Sequence, residues 1–226
     1  MIETVAQHLG AQLLAEMVFV GGAVAGLLIT DPAQPAIRPT EDVDMIVQVL
    51  AHQDYYSLEQ RLRQQGFMQD LRAEAPICRW KIRGITVDIM PTLEDILGFT
   101  NRWYGYALET AQTIILPAGL QIRCISAPLF VATKLEAFAG RGEGDFLFSH
   151  DLGDLLAVID GRESLVEEAR QTKPELRQYL HDKLSELLEM PAFMQALPGH
   201  LPGDAASQQR LPDLREKLFQ LSTLVE

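Results

Sequence analysis

Val20-Gly21-Gly22, followed after a helix and a loop by Asp42-Val43-Asp44-Met45-Ile46-Val47, is the stretch that decides how this chain is read. Its second part is an apolar, β-branched run that opens on Asp-x-Asp. Side chains alternate along a strand, so both carboxylates stand on one face. Gly84-Ile85-Thr86-Val87-Asp88-Ile89-Met90-Pro91 puts a third carboxylate on another apolar strand, with Val87 and Ile89 turned to the opposite face. If those two strands are neighbours, three carboxylates converge and can grip a divalent cation. Oxygen-only ligation suits Mg²⁺ or Mn²⁺, ions that work with substrate phosphates rather than inside closed protein cages. The glycine pair fits the same chemistry, because a small-residue turn entering a helix lets backbone N–H groups approach a phosphate tail.

Each element alone has a plainer explanation: Gly-Gly as a turn, Asp-x-Asp as a solvated strand edge or a helix cap. Their order along the chain is what points to a nucleotide site. Phe19-Val-Gly-Gly, Asp42-Val-Asp44 and Val87-Asp88-Ile together resemble the polymerase-β-type nucleotidyltransferase superfamily. Within it, Lys134-Leu-Glu-Ala-Phe-x-x-Arg141 and His150-Asp151-Leu-Gly-Asp154-Leu-Leu resemble the AbiEii/AbiGii-type nucleotidyltransferases, many of them toxins of toxin–antitoxin pairs. The resemblance covers about residues 15–162.

That resemblance implies an α+β fold of the polymerase-β-like nucleotidyltransferase kind, a mixed sheet flanked by helices, followed by a helical C-terminal region. The implied division is a catalytic core over 1–125 and a helical domain over 126–226 that contributes Lys134 and Asp151 to the cleft. Asp42, Asp44 and Asp88 would hold Mg²⁺ or Mn²⁺ and make up the catalytic set with Lys134 and Asp151. Gly21, Gly22, Arg38, Thr40, Lys134 and Arg141 would contact the nucleotide, and Asp151 would act as base or place the acceptor. The implied reaction moves a nucleoside monophosphate from an NTP to a hydroxyl, with an RNA acceptor, particularly a tRNA 3′ end, and a cognate antitoxin as candidate partner. Two alternatives stand beside it: the same chemistry on a protein or an aminoglycoside-like small molecule, and an inactive relative that binds nucleotide or a partner. Three positions depart from the family pattern. Gly22 stands where many superfamily members have serine, His150 where Lys or Arg is common, and the proline-rich loop 31–35 lengthens the Gly22-to-Asp42 gap.

Composition bounds these readings. The chain has 226 residues, 47% of them hydrophobic and 22% charged, as in an ordinary globular protein. A net charge of −12 argues against broad, non-specific nucleic-acid binding, though not against a local basic groove. Arg79, Lys81 and Arg83 alternate and would line one strand face, either solvated or receiving triphosphate or an RNA backbone. No window nears the roughly 18 to 20 apolar residues needed to cross a bilayer, and no signal peptide is visible, so a cytoplasmic location is expected. Cys78 and Cys124 form no Cys-x-x-Cys pair and read as buried thiols.

Periodicity predicts a helix over 3–16, a strand over 17–20, a second helix over 23–29 and a third over 53–65 stopped by Gly66. Hairpins are expected over 77–90 through Arg83-Gly84 and over 112–125 through Pro117-Ala118-Gly119. Residues 95–111 are ambiguous; Trp103, Tyr104 and Tyr106 within them would stack on a base or pack the core. From Ser126 onward the pattern is helical: 126–139, closed by Gly140 to Gly144, then 149–160, 163–172, 174–190 and 207–223, with a linker over 197–203. Lys134 shares its helix face with Phe130 and Phe138, an awkward place for a charge unless it is paired or faces a ligand; the alternative is a surface lysine that snorkels to water.

Overall fold

The computed structural model describes every residue except Ala36, Phe99, Glu143 and Glu226. In chain order the elements are α1 (Ile2–Glu16), β1 (Met17–Val20), α2 (Ala25–Leu28), β2 (Asp42–Val47), α3 (His52–Gln64), β3 (Met68–Gln69), β4 (Arg79–Ile82), β5 (Ile85–Pro91), α4 (Glu94–Leu97), α5 (Tyr104–Glu109), β6 (Gln112–Ile115) and β7 (Gln121–Cys124). They continue as α6 (Ala127–Arg141), α7 (His150–Gly161), α8 (Leu165–Arg170), α9 (Pro174–Glu189), α10 (Pro191–Ala196), α11 (Ala205–Gln208) and α12 (Leu211–Ser222). The chain divides into two compact units, one made of Met1–Val24 and Pro39–Ser126, the other of Ala25–Arg38 and Ala127–Glu226.

The first unit is α+β. Its strands form one mixed sheet in the order β3-β4-β5-β2-β1-β7-β6. β2 runs parallel to β5 and β1 parallel to β7; the other pairs are antiparallel. All four residues of β1 are buried, which suits a short, uniformly apolar strand at the sheet centre. β2 begins with alternation, Asp42 and Asp44 partly exposed while Val43 and Met45 are buried, so the pleat separates acid from core. Two-residue turn chemistry sets the β4–β5 register. Arg83 and Gly84 adopt φ of 50° and 80°, the positive values a tight hairpin turn demands. Ile82 then faces Ile85 and, counting outward, Arg79 faces Asp88.

The second unit is helical. α6 packs on α7, α8 and α9, and α12 packs on α7, α8 and α9. The N-terminal segment Ala25–Arg38 belongs with these helices rather than with the sheet, although sequence order places it in the 1–125 half. Specific bonds tie it there. Thr30 and Asp31 donate their backbone N–H groups to the Gly161 carbonyl at 2.9 Å, and Arg162 Nη1 donates to the Leu28 carbonyl at 2.6 Å. Arg210 reaches Asp31 at 2.7 Å, Gln34 at 2.8 Å and Asp160 at 2.8 Å. Periodicity within 25–38 could not reveal partners that lie more than a hundred residues away.

Helical periodicity located most elements and missed some boundaries. Residues 191–196, for which periodicity predicts no element, form α10, and Leu197–His200 form a 3₁₀ turn inside the expected linker over 197–203. Pro191 and Pro198 sit at helix starts, where their missing N–H costs nothing, so proline there marks an entry and not a break. The last helical segment splits into α11 and α12. α1 is interrupted at Gly10, where φ is 71°. Among the described residues no helix is long and apolar enough to cross a membrane.

Candidate metal centre

β2 and β5 are neighbours, and their register places Asp44 opposite Asp88 and Asp42 opposite Thr86. One oxygen from each of Asp42, Asp44 and Asp88 lies within 4.8 Å of the others. Asp88 is buried, while Asp42 and Asp44 are partly exposed, so the cluster opens toward solvent on the side of the Asp-x-Asp strand. Three carboxylates at this spacing repel one another, and the repulsion is costly without cations among them. The donor set is hard oxygen only, the kind Mg²⁺ and Mn²⁺ take, so the residues present fit such an ion.

The glycine elbow is part of the same geometry. β1 pairs with β2 so that Val20 faces Asp44, which brings Gly21 directly against the Asp44 side chain. A Cβ on Gly21 would stand 1.9 Å from Asp44 Oδ2 and 2.7 Å from Asp44 Cβ. Gly21 also has φ of 70°, a left-handed value that other L-residues adopt only with strain. Gly21 thus makes the space in which Asp44 sits. Gly22 is buried at the start of a 3₁₀ turn, Gly22–Val24. Thr40 is partly exposed in the loop that leads into β2.

Asp88 carries a partner that strand periodicity alone did not announce. Arg79 Nε donates to Asp88 Oδ1 at 2.8 Å and Nη2 to Oδ2 at 2.6 Å, a two-pronged fork. The signal was present in the Arg83-Gly84 turn, whose length fixes which residues of β4 and β5 face one another. The neighbouring strand cations are also engaged. Lys81 meets Asp70 at 3.1 Å and Arg83 Nε meets His8 Nε2 at 3.3 Å. Asp70 also accepts from Arg72, and that hydrogen bond first of all holds its carboxyl well below the usual range. Burial pushes the Cys78 thiol up to about 12, with the Asp88 charge adding to it, so this cysteine stays protonated and inert. Trp103 is buried in the core, and Tyr104 donates its hydroxyl to Met90 Sδ at 3.4 Å.

Lys134, Arg141, Asp151 and Arg38, predicted as site residues, form a second charged cluster within the helical unit. Lys134 Nζ donates to Asp151 Oδ1 at 3.0 Å and to Asp154 Oδ2 at 2.7 Å. Arg141 grips Asp151 through Nε at 2.8 Å and Nη2 at 2.9 Å, and Arg38 lies 3.7 Å from Asp154. The helical unit thus supplies the lysine with carboxylate partners of its own. Asp151 and Asp154 lie three apart on α7 and share a face, and that face is buried against α6 rather than turned to water. His150 is exposed just ahead of them.

Burial pushes the Asp151 carboxyl up, but the Arg141 hydrogen bond and the Lys134 charge more than offset it, and its pKa ends below the ordinary value. Burial likewise pushes the Lys134 ammonium down, and the charges of Asp154 and Asp151 more than restore it, so its pKa ends above the ordinary value. The signs follow. The Asp151 contribution to stability is present above pH of about 4 and is lost as pH falls below it, while the Lys134 contribution fades only above about pH 10.5. Replacing Lys134 with Met should cost about 3 kcal/mol, because two buried carboxylates lose their shared cation. Thermal melting should show a Tm lower by roughly 10 °C at pH 7. The deficit should shrink as acid protonates Asp151, which its cations hold below the ordinary carboxylate range; a deficit unchanged by acid would contradict the assignment.

No protein-family model matches the chain, and no curated protein matches its sequence. Among solved structures, the chain is similar to JHP933 from Helicobacter pylori at 14% identity and a TM-score of 0.43, over 99% of this chain and 86% of that one. It is also similar to an H. pylori protein provisionally named a nucleotidyltransferase, at 12% identity and a TM-score of 0.42, over 99% of this chain and 89% of that one.

Proposed function

We propose that the protein is a divalent-metal-dependent nucleotidyltransferase. The observation that carries this reading is the convergence of Asp42, Asp44 and Asp88 on adjacent parallel strands, beside a glycine that no larger residue could replace without displacing Asp44. In the proposed reaction an acceptor hydroxyl attacks the α-phosphorus of an NTP. A new P–O bond forms, the bond to the bridging oxygen of the β-phosphate breaks, and pyrophosphate leaves. A divalent ion held by the three aspartates would supply positive charge to the entering and leaving oxygens. Asp88, the buried member, is our candidate for taking the hydroxyl proton. Gly21 and Gly22 would offer backbone N–H groups to the phosphate tail, and Thr40 its hydroxyl.

In this reading the helical unit serves the same reaction. Arg38, Lys134 and Arg141 are our candidates for contacts to the triphosphate, on the strength of the motifs that carry them; each also meets Asp151 or Asp154 within the helical unit. Arg38 precedes Asp42 by only four positions in the chain. Asp151, held ionised by its two cations, would place the acceptor rather than accept its proton. RNA, particularly a 3′ end, is the acceptor class we propose, on the strength of the motifs around Lys134 and Asp151; an antitoxin partner rests on the same motifs. The net charge of −12 favours a second reading, the same transfer onto a protein or small-molecule hydroxyl, since RNA would first have to find a basic patch.

Incubation with each α-labelled NTP, Mg²⁺ or Mn²⁺, and total RNA, cell protein or aminoglycosides separates these acceptors. Label should appear in one fraction, with pyrophosphate released in equal amount. Label in the RNA fraction supports the first reading and label in protein or small molecule the second. No transfer from any NTP in any fraction contradicts both.

A further inference from the structure

The Arg79 fork engages both oxygens of a carboxylate that belongs to the acidic cluster. Its neighbour Lys81 instead meets Asp70, an acid outside the cluster. Asp88 therefore sits between Arg79 on β4 and Asp44 on β2, each its direct cross-strand partner. A guanidinium stays charged at any accessible pH and is held here on a strand in the sheet interior, with 28% of its side chain exposed. Each carboxylate offers about four lone-pair positions, and the fork occupies the two that face it. An approaching dication meets a partly used ligand and a fixed like charge.

We propose that Arg79 is the resting counter-ion of the acidic cluster, competing with the divalent ion for Asp88 and so setting the ion concentration at which the site fills. Arg79 is thus a positioning residue that acts through Asp88. The proposal rests on the reading of Asp42, Asp44 and Asp88 as a divalent-ion site. A cross-strand pair that only braced the hairpin would leave ion affinity unchanged.

The test is direct Mn²⁺ binding, followed by loss of the free-ion electron paramagnetic resonance signal, to the full-length protein without nucleotide. Arg79→Met keeps the aliphatic stem and removes the charge, and should bind Mn²⁺ roughly tenfold more tightly than wild type, the size expected for removing a like charge in partly solvated surroundings. Arg79→Lys, which keeps the charge without the fork, should fall between them; it serves also should the Met variant fail to fold. In the double variant Arg79→Met/Asp88→Asn the gain should vanish. If wild type binds Mn²⁺ and neither Arg79 variant binds it more tightly, Arg79 is a brace and this inference fails while the ion site stands. If neither wild type nor the Arg79 variants bind Mn²⁺, the divalent-ion reading falls and takes the inference with it.

Discussion

Asp44→Asn should reduce nucleotidyl transfer by a factor of a thousand or more while leaving the apo protein as stable as wild type, or slightly more stable. The two effects have one cause. Asp44 faces Asp88 across the β2–β5 pair and Asp42 two residues along its own strand, so it is a carboxylate held close to two others. Removing its charge relieves repulsion in the resting protein and takes away a ligand that the reaction needs. A thousandfold loss corresponds to about 4 kcal/mol of transition-state stabilisation, the scale seen when a group that answers developing charge is deleted. Asparagine preserves the shape, so the fold is not the variable. Steady-state transfer with labelled NTP, paired with thermal melting without metal, checks both signs. Thermal stabilisation by Mn²⁺ should also disappear, because an ion that binds only the folded state stabilises it in proportion to its affinity. Equal rates for the two proteins would remove Asp44 from the mechanism.

The second large effect belongs to a residue with no side chain. Gly21→Ala should destabilise the sheet unit by about 3 kcal/mol and abolish Mn²⁺ binding even in the fraction that folds. Two penalties add. A left-handed φ costs a non-glycine residue about 1–2 kcal/mol, and the new Cβ would overlap the Asp44 side chain as far in as its own Cβ, which is too close to the backbone to swing away. Gly84→Ala isolates the first penalty. Gly84 has φ of 80°, yet a Cβ there meets nothing within 4 Å, so that variant should lose about 1–2 kcal/mol and keep its Mn²⁺ affinity. Melting curves and Mn²⁺ titrations of the two alanine variants make the comparison. If Gly21→Ala behaved like Gly84→Ala, the contact with Asp44 would carry no functional weight.

The sequence conveyed these features unevenly, for physical reasons. Strand periodicity and turn chemistry are local, so β1, β2, the β4–β5 hairpin and the placement of Asp42, Asp44 and Asp88 on strands could be read directly. That β2 and β5 lie side by side is non-local; it was a condition of the argument, and the parallel pairing of Asp44 with Asp88 meets it. The three-residue spacing of Asp151 and Asp154 revealed a shared helix face but not its burial, because a lysine one helix earlier decides whether two acids can leave water. Nothing local to residues 25–38 names Gly161, Arg162 and Arg210 as their partners. Pro198 pointed to a linker over 197–203 yet sits at the start of a 3₁₀ turn, because proline initiates helical turns as well as ending them.

The most direct test of the central claim is anomalous diffraction from crystals grown with Mn²⁺ and a non-hydrolysable NTP. The account predicts a manganese peak coordinated at about 2.1 Å by oxygens of Asp42, Asp44 and Asp88. Crystals that bind the nucleotide but show no manganese among these three carboxylates would contradict it.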